Sequence, residues 1–150
     1  MRLRYLAPAL LVVSLALAGT AMAGTVEQFT TPTRNIGCIA SDTEGVTVLR
    51  CDIRTFTYSR PKKPANCPLK YGDSLSLSET GRARWTCHGD TALPPPGGKG
   101  IRTIKYGVTW ERGPFTCTSR VTALECRSDD GHGFRLSRLK AERFVVRADG

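Results

Sequence analysis

The stretch CHGDTAL, residues 87 to 93, gathers several residue types that commonly carry chemistry into one short span. It contains His88, one of the chain's two histidines, two positions before Asp90. An imidazole oriented by a carboxylate can act as a general base for a serine or threonine nucleophile. His88 and Asp90 are therefore candidate catalytic residues of a small hydrolase, although no G-x-S-x-G nucleophile elbow accompanies them.

The same two residues, together with His132, could also be considered as metal ligands. Zinc sites are usually recognised by short, paired spacings of cysteine and histidine. Here the two histidines are far apart in the chain, and no two cysteines are closer than nine positions. The sequence therefore predicts no metal site and no cofactor. His132 remains, with His88 and Asp90, a candidate for catalysis.

Strand alternation gives the same stretch a structural interpretation. In GRARWTCHGD, residues 81 to 90, every second side chain should face the protein interior. The predicted buried set is Ala83, Trp85 and Cys87, and the predicted exposed set is Arg82, Arg84, Thr86 and His88. Asp90 followed by Thr91 is typical of a turn. We expect Arg82, Arg84 and His88 to form an exposed basic row that could bind an anionic partner.

The first 23 residues are typical of a secretory signal peptide. Two arginines precede an apolar run from Leu6 to Ala18, and Ala21-Met22-Ala23 fits a cleavage site before Gly24. No later apolar run approaches the roughly 20 residues that a membrane-spanning helix needs. We expect residues 24–150 to form a single disulfide-rich β domain that is secreted or periplasmic.

The charge of the chain indicates the kind of partner. Without the predicted signal, 20 lysines and arginines stand against 13 acidic residues, a net charge of about +7. A surface of this sign favours an anionic cell-envelope component or a protein partner. Nucleic acid is less favoured, because the aromatic residues that could stack on bases fall on predicted inward faces. These residues are Trp85, Tyr106, Trp110 and Phe115.

All six cysteines lie after residue 23, which predicts three disulfides formed in an oxidising compartment. The first pair follows from hairpin geometry. If Glu44-Gly45 is a two-residue turn, Cys38 lies directly opposite Cys51. The pair then falls on a rung without hydrogen bonds, where Cα atoms are about 4.5 Å apart and a disulfide fits.

A second hairpin, PFTCTSRVTALECRS (residues 114 to 128), places Cys117 opposite Cys126 around a loop from Arg120 to Ala123. By elimination Cys67 would join Cys87, although six cysteines allow about 15 pairings and only the hairpin geometry selects among them.

Short β-rich runs separated by turn residues make up the remainder of the chain. The basic, proline-rich segment 60–73 and PPPGGKG (94–100) are predicted surface loops. Alternation of Ile104, Tyr106, Val108 and Trp110 predicts one strand. In DDGHGF (129–134) the two glycines predict a tight turn at positive φ, and the tail up to residue 146 predicts two strands joined by a short helical turn. The expected fold is all-β, a small disulfide-stapled antiparallel hairpin sandwich or open barrel.

An ordered series of motifs resembles a family of small exported bacterial proteins that is catalogued as a domain of unknown function. The series is FTTPTRNIGC, RCDI, CPLKYGDSLSLSETGRARWTCHGDTAL, YGVTW, PFTCTS and GHGFRLSR, spanning roughly residues 29 to 138. The resemblance implies export, a common fold and a shared framework of six cysteines. It implies no activity and no catalytic residues.

The function expected from these features is a non-enzymatic secreted or periplasmic binding module with a basic face. The alternative is a small secreted hydrolase centred on His88 and Asp90. A third class, an inhibitor of a secreted enzyme, would present residues 94–100 or 60–66 as a rigid loop. Position in space discriminates the first two, because the enzyme needs His88 within reach of an acid and a hydroxyl in a concave pocket.

Overall fold

The computed structural model describes residues 24–43 and 45–146, so the predicted signal peptide lies outside the described residues. Within them the chain forms eleven β-strands and no helix. The strands are β1 (Val26–Thr30), β2 (Ile36–Thr43), β3 (Val46–Ile53), β4 (Ser74–Ser78), β5 (Arg84–Trp85), β6 (Arg102–Thr103), β7 (Thr109–Arg112), β8 (Phe115–Ser119), β9 (Leu124–Ser128), β10 (His132–Leu136) and β11 (Ala141–Val145). No helix in this part of the chain is long and apolar enough to cross a membrane.

The strands form two sheets that pack as a sandwich, one of the two predicted all-β architectures. The six-stranded sheet has the order β5-β4-β3-β2-β1-β6, and the five-stranded sheet has the order β11-β10-β9-β8-β7. Neighbouring strands are antiparallel except β1 and β6, which run parallel. Most neighbours are also consecutive in sequence, which is why hairpin patterns predict the fold well.

Each sheet contributes its inward side chains to one hydrophobic core. Leu49, Leu75 and Leu77 belong to the six-stranded sheet, and Phe115 and Leu136 to the five-stranded sheet, and all are fully buried. An aromatic contact between the layers joins Phe29 and Trp110, whose ring centroids are 4.6 Å apart. The Trp110 indole N–H is also satisfied, since it donates to Glu27 Oε1 at 2.7 Å.

Two disulfides lie within this core, one in each sheet. The β2–β3 register places Cys38 opposite Cys51, and the β8–β9 register places Cys117 opposite Cys126. Both pairs are joined, with Cα atoms 4.1 Å apart in each. The third disulfide joins Cys67 to Cys87. The connectivity is the one expected from the two hairpins.

The single strand predicted from Ile104 to Trp110 is wrong. Residues 102–103 pair with β1 in one sheet and residues 109–112 pair with β8 in the other, so the chain must pass between the layers in the interval. Gly107 has a φ of 81°, and Val108 N donates to Lys105 O at 3.1 Å, which forms the necessary turn. Consequently Tyr106 is exposed, contrary to its predicted place in the core.

The tail contains the two predicted strands, β10 and β11, but the helical turn between them is wrong. Ser137 N donates to Lys140 O at 2.8 Å, which closes a tight hairpin connection instead. A hairpin is favoured because Phe134 and Leu136 alternate into the core and keep β10 extended. The next residues can then pair with β10 as the antiparallel strand β11.

Candidate functional site

Residues 86–101 form a crossing segment over the outer face of the six-stranded sheet. The strands before and after it, β5 and β6, occupy opposite edges of that sheet, so the chain must traverse one of its faces. It passes directly over Gly37, where an added Cβ would lie 2.5 Å from Ala92 O and 2.8 Å from Leu93 Cα. The CHGDTAL stretch is therefore the first part of this crossing.

Asp52 holds the crossing segment against the sheet. It points outward from β3, yet it is only 1% exposed because the segment covers it. Its carboxylate accepts two hydrogen bonds from Arg50, each 3.0 Å long, in a bidentate pair. It also accepts bonds from Thr91 Oγ1 at 3.1 Å and from Ala92 N at 2.8 Å. Four donors thus converge on one buried carboxylate.

The electrostatics of Asp52 follow from this geometry. Burial raises the pKa of the carboxyl group. The hydrogen bonds and the positive charge of Arg50, together with the hydrogen bond from the Ala92 amide, lower the pKa by more, so the pKa of Asp52 lies below its ordinary value. Arg50 extends the network by donating to Asp90 Oδ1 at 2.9 Å, and this bond also lowers the pKa of Asp90. The ionised form of both acids is the form that fixes the segment.

His88 is buried, and its predicted place on an exposed basic row is wrong. The residue is 5% exposed, and its backbone pairs with Lys70 through two hydrogen bonds of 3.1 Å. Its Nδ1 lies 3.9 Å from Asp52 Oδ2, on the outer side of the sheet. Strand alternation directs the ring away from the core, but the crossing segment covers that outer side. Cys87 shows the converse error, since it is exposed where it bonds to Cys67 in the neighbouring loop.

The imidazole of His88 has a polar partner at each nitrogen. Nδ1 lies 2.6 Å from the backbone oxygen of Asp90, and Nε2 lies 3.2 Å from Asp73 Oδ1. A carbonyl oxygen can only accept, so Nδ1 carries a proton and donates it. The Asp90 side chain is directed to Arg50 rather than to the ring, so the predicted His88–Asp90 carboxylate pair does not form.

This arrangement meets part of what a hydrolase requires. His88 and Asp73 line a cavity of about 570 Å³ beside the crossing segment, and Asp73 supplies an acid. Neither ring nitrogen has a hydroxyl among its hydrogen-bond partners in the described residues. The nearby Thr91 hydroxyl donates to Asp52 instead. In this geometry both contacts of His88, to the Asp90 backbone oxygen and to Asp73, hold the chain around the crossing segment.

His132 lies in a separate cluster in the five-stranded sheet. Its Nδ1 is 2.9 Å from Asp130 Oδ2, and the same carboxylate accepts bonds from Ser128 Oγ, the His132 amide and the Gly81 amide. The bond from Ser128 leads these in lowering the pKa of Asp130. Across the described ranges, no three histidine, cysteine or acidic residues are grouped to hold a metal ion.

The Asp130 cluster closes the turn that DDGHGF predicts, with one correction. Gly131 has a φ of 85°, as expected for a tight turn. Gly133 instead lies within β10, where the Phe144 ring covers the space that a side chain would need. The turn at Asp130 also contacts the β4–β5 turn through Gly81, so it ties the two layers together.

Exposed cations lie at and just before β5 and in the loop that the Cys67–Cys87 disulfide and the Lys70–His88 backbone pair join to the chain after β5. We call this surface the basic edge, and it comprises Lys62, Lys63, Lys70, Arg82 and Arg84. None of the five has an ion-pair partner among residues 24–43 and 45–146. Of the predicted binding residues, Arg82 and Arg84 belong to this surface, and the buried His88 does not.

An aromatic cluster, which the sequence patterns do not reveal, supports the basic edge from beneath. Phe56 stacks on Tyr58 with ring centroids 4.3 Å apart, and Trp85 lies within 6.5 Å of both Tyr58 and Tyr71. The Tyr58 hydroxyl donates to Gly72 O at 3.1 Å. Burial raises the pKa of Tyr58 to about 12. Alternation predicts that Trp85 lies in the core, but in the structure it follows Arg84 in β5 and is only half-buried, beside this cluster.

Fold and cysteine framework define the class of the protein as a disulfide-stapled β-sandwich. Residues 9–144 match the model of a family of unknown function, DUF6636, and the chain belongs to that family. This agrees with the resemblance to a domain of unknown function with six cysteines. No curated protein and no solved structure matches the chain.

Proposed function

We propose that this protein is a non-enzymatic binding module of the cell envelope or exterior that holds an anionic envelope polymer on its basic edge. The observation that carries the proposal is that the five exposed cations of the basic edge have no ion-pair partners among the described residues. Exposed charges of one sign attract and retain a polymer of the opposite sign.

The basic edge is held rigidly, which favours binding. The Cys67–Cys87 disulfide ties the lysine-bearing loop to the chain just after β5. Lys70 is fixed by its backbone pairing with His88, and Arg60, which lies 4.9 Å above the Phe56 ring, donates to Tyr71 O. A preordered loop loses less conformational entropy when it binds.

The contacts of the two histidines support a non-enzymatic role. The two ring nitrogens of His88 contact the backbone oxygen of Asp90 and the side chain of Asp73. The His132 ring contacts Asp130 in a turn of the other sheet. Both histidines therefore stabilise connections between strands. The three disulfides support a location in an oxidising compartment outside the cytosol.

The test compares two variants with the same loss of charge. One carries glutamine at four positions of the basic edge: Lys62, Lys63, Arg82 and Arg84. The control carries glutamine at four exposed cations elsewhere: Arg102, Lys105, Arg127 and Arg143. Each protein, with its disulfides formed, is applied to immobilised lipopolysaccharide and eluted with rising salt.

The basic-edge variant should elute at clearly lower salt than the control variant. Exposed charge pairs contribute roughly 0.2–1 kcal/mol each, so four of them account for about 1–4 kcal/mol of binding free energy. The native protein should be released as salt screens these pairs. Equal elution of the two variants would mean that net charge, and not this edge, governs retention.

A further inference from the structure

A cleft of about 680 Å³ opens at one end of the sandwich, where the connections between strands meet. Its floor is the end of the hydrophobic core, formed by Ile36, Leu124 and Leu136. The volume lies within the range of small-molecule sites. The cleft shares no residue with the basic edge or with the surroundings of His88.

The walls of the cleft are held in place by the protein's own hydrogen bonds. The Asn35 side chain donates to Thr55 O and accepts from Thr55 N, each at 2.9 Å. Thr57 N donates to Arg138 O at 2.7 Å, which fastens the segment after β3 to the β10–β11 connection. A site with such walls is largely formed before any ligand arrives.

The rim of the cleft carries two strongly exposed aliphatic side chains. Val121 and Leu139 stand on two of its connections and are 79% and 80% exposed. Tyr106, displaced from the core by the turn at Gly107, also lines it. Water-exposed aliphatic side chains around an apolar floor mark a surface that gains free energy when a hydrocarbon covers it.

The charged residues of the cleft are of one sign. Arg120 and Arg138 line it, and no aspartate or glutamate does so. In the described part of the chain, neither guanidinium donates a hydrogen bond or forms an ion pair, although the backbone of each takes part in a turn or bridge. Guanidinium groups bind carboxylates well through paired N–H donors.

We propose that this cleft binds a small amphipathic carboxylate, a single hydrocarbon chain whose anionic head contacts Arg120 and Arg138. The hydrocarbon lies on the Ile36, Leu124 and Leu136 floor beneath Leu139. The charge complementarity selects an anion over a neutral or cationic amphiphile of equal length. This site is independent of the basic edge, and its ligand is a small molecule rather than a polymer.

The experiment uses three probes of one chain length: octanoate, 1-octanol and octylammonium. Each is titrated by calorimetry into the chain from residue 24 onward, with its disulfides formed. Octanoate should bind at least about tenfold more tightly than 1-octanol, because charged hydrogen bonds are lost with the neutral head. Octylammonium should bind more weakly than either.

Variants locate the effect. Arg120→Gln with Arg138→Gln should reduce octanoate to the affinity of 1-octanol, while Leu139→Ser should weaken both probes together. The control pair Arg127→Gln with Arg143→Gln, also exposed cations of the five-stranded sheet, should leave octanoate binding unchanged. The basic-edge variant should also bind octanoate normally, which keeps this test separate from the proposed polymer binding.

Two results would overturn the proposal. The first is octanoate binding no tighter than 1-octanol, or weakened equally by the control pair. The second is a dimer in sedimentation that dissociates when Leu139 is changed to serine, since the cleft would then be covered by a second copy of the chain.

Discussion

Replacing Asp52 with asparagine should strongly destabilise the protein, although the side chain changes little in size. The carboxylate is buried and pairs with Arg50, whose side chain is only 16% exposed, through two bonds of 3.0 Å. Removing one partner of a buried ion pair costs about 3–5 kcal/mol, because the other charge stays buried. Arg50 keeps its bond to Asp90 and some contact with water, so we expect the lower end, about 3 kcal/mol.

The loss is large compared with a typical domain stability of about 5–15 kcal/mol. For a domain of this size it corresponds to a fall in Tm of roughly 10–15 °C. Urea unfolding followed by tryptophan fluorescence measures it directly, since Trp110 lies in the core. The matched control is Asp90→Asn, because the Asp90 side chain is 79% exposed and its pair with Arg50 is worth at most about 1 kcal/mol.

Two outcomes would contradict this prediction: a loss of stability below about 1 kcal/mol for Asp52→Asn, or one no larger than that for Asp90→Asn. Either outcome would mean that the crossing segment is held by its apolar contacts and not by the carboxylate. If the carboxylate does hold the segment, trypsin should cleave folded Asp52→Asn after the exposed Lys99 faster than it cleaves the native protein.

Acid should weaken the hold of Asp52 on the crossing segment, and an added methyl group at Gly37 should push against that segment. Because the pKa of Asp52 in the folded protein lies below its ordinary value of 3.8, its contribution to stability is present above that value and is lost as the pH falls through the folded-state pKa. Unfolding free energies measured from pH 5 to 2 should therefore fall more steeply for the native protein than for Asp52→Asn, and parallel curves would contradict this. Gly37→Ala should cost about 1–3 kcal/mol through the clash with the crossing segment, whereas Gly89→Ala, whose added Cβ would lie 3.5 Å from Leu69 Cδ1, should cost clearly less in the same urea assay.

Local sequence patterns predict the hairpins because the register of a hairpin depends only on its turn and on the residues next to that turn. The opposition of Cys38 and Cys51 follows from a turn and a count of residues, and the register is the one observed. The strand predicted across Tyr106 fails for the opposite reason. Alternation cannot show that residues 102–103 and residues 109–112 pair in different sheets. The choice of sheet depends on partner strands, and β1 is distant in sequence.

The surroundings of His88 show where sequence reasoning stops. Alternation places the ring away from the core, but it does not indicate that residues 86–101 return over the same face and bury it. Sequence patterns cannot predict the cleft at the end of the sandwich for a similar reason. Its walls come from several connections that are remote in sequence, and Arg120 and Arg138 are 18 positions apart.

The three disulfides join the first cysteine to the second, the third to the fourth and the fifth to the sixth. If the chain emerges N-terminus first into an oxidising compartment, both cysteines of each native disulfide are present before the next pair emerges. We expect the disulfides to form in that order, without non-native pairings that an isomerase would have to rearrange.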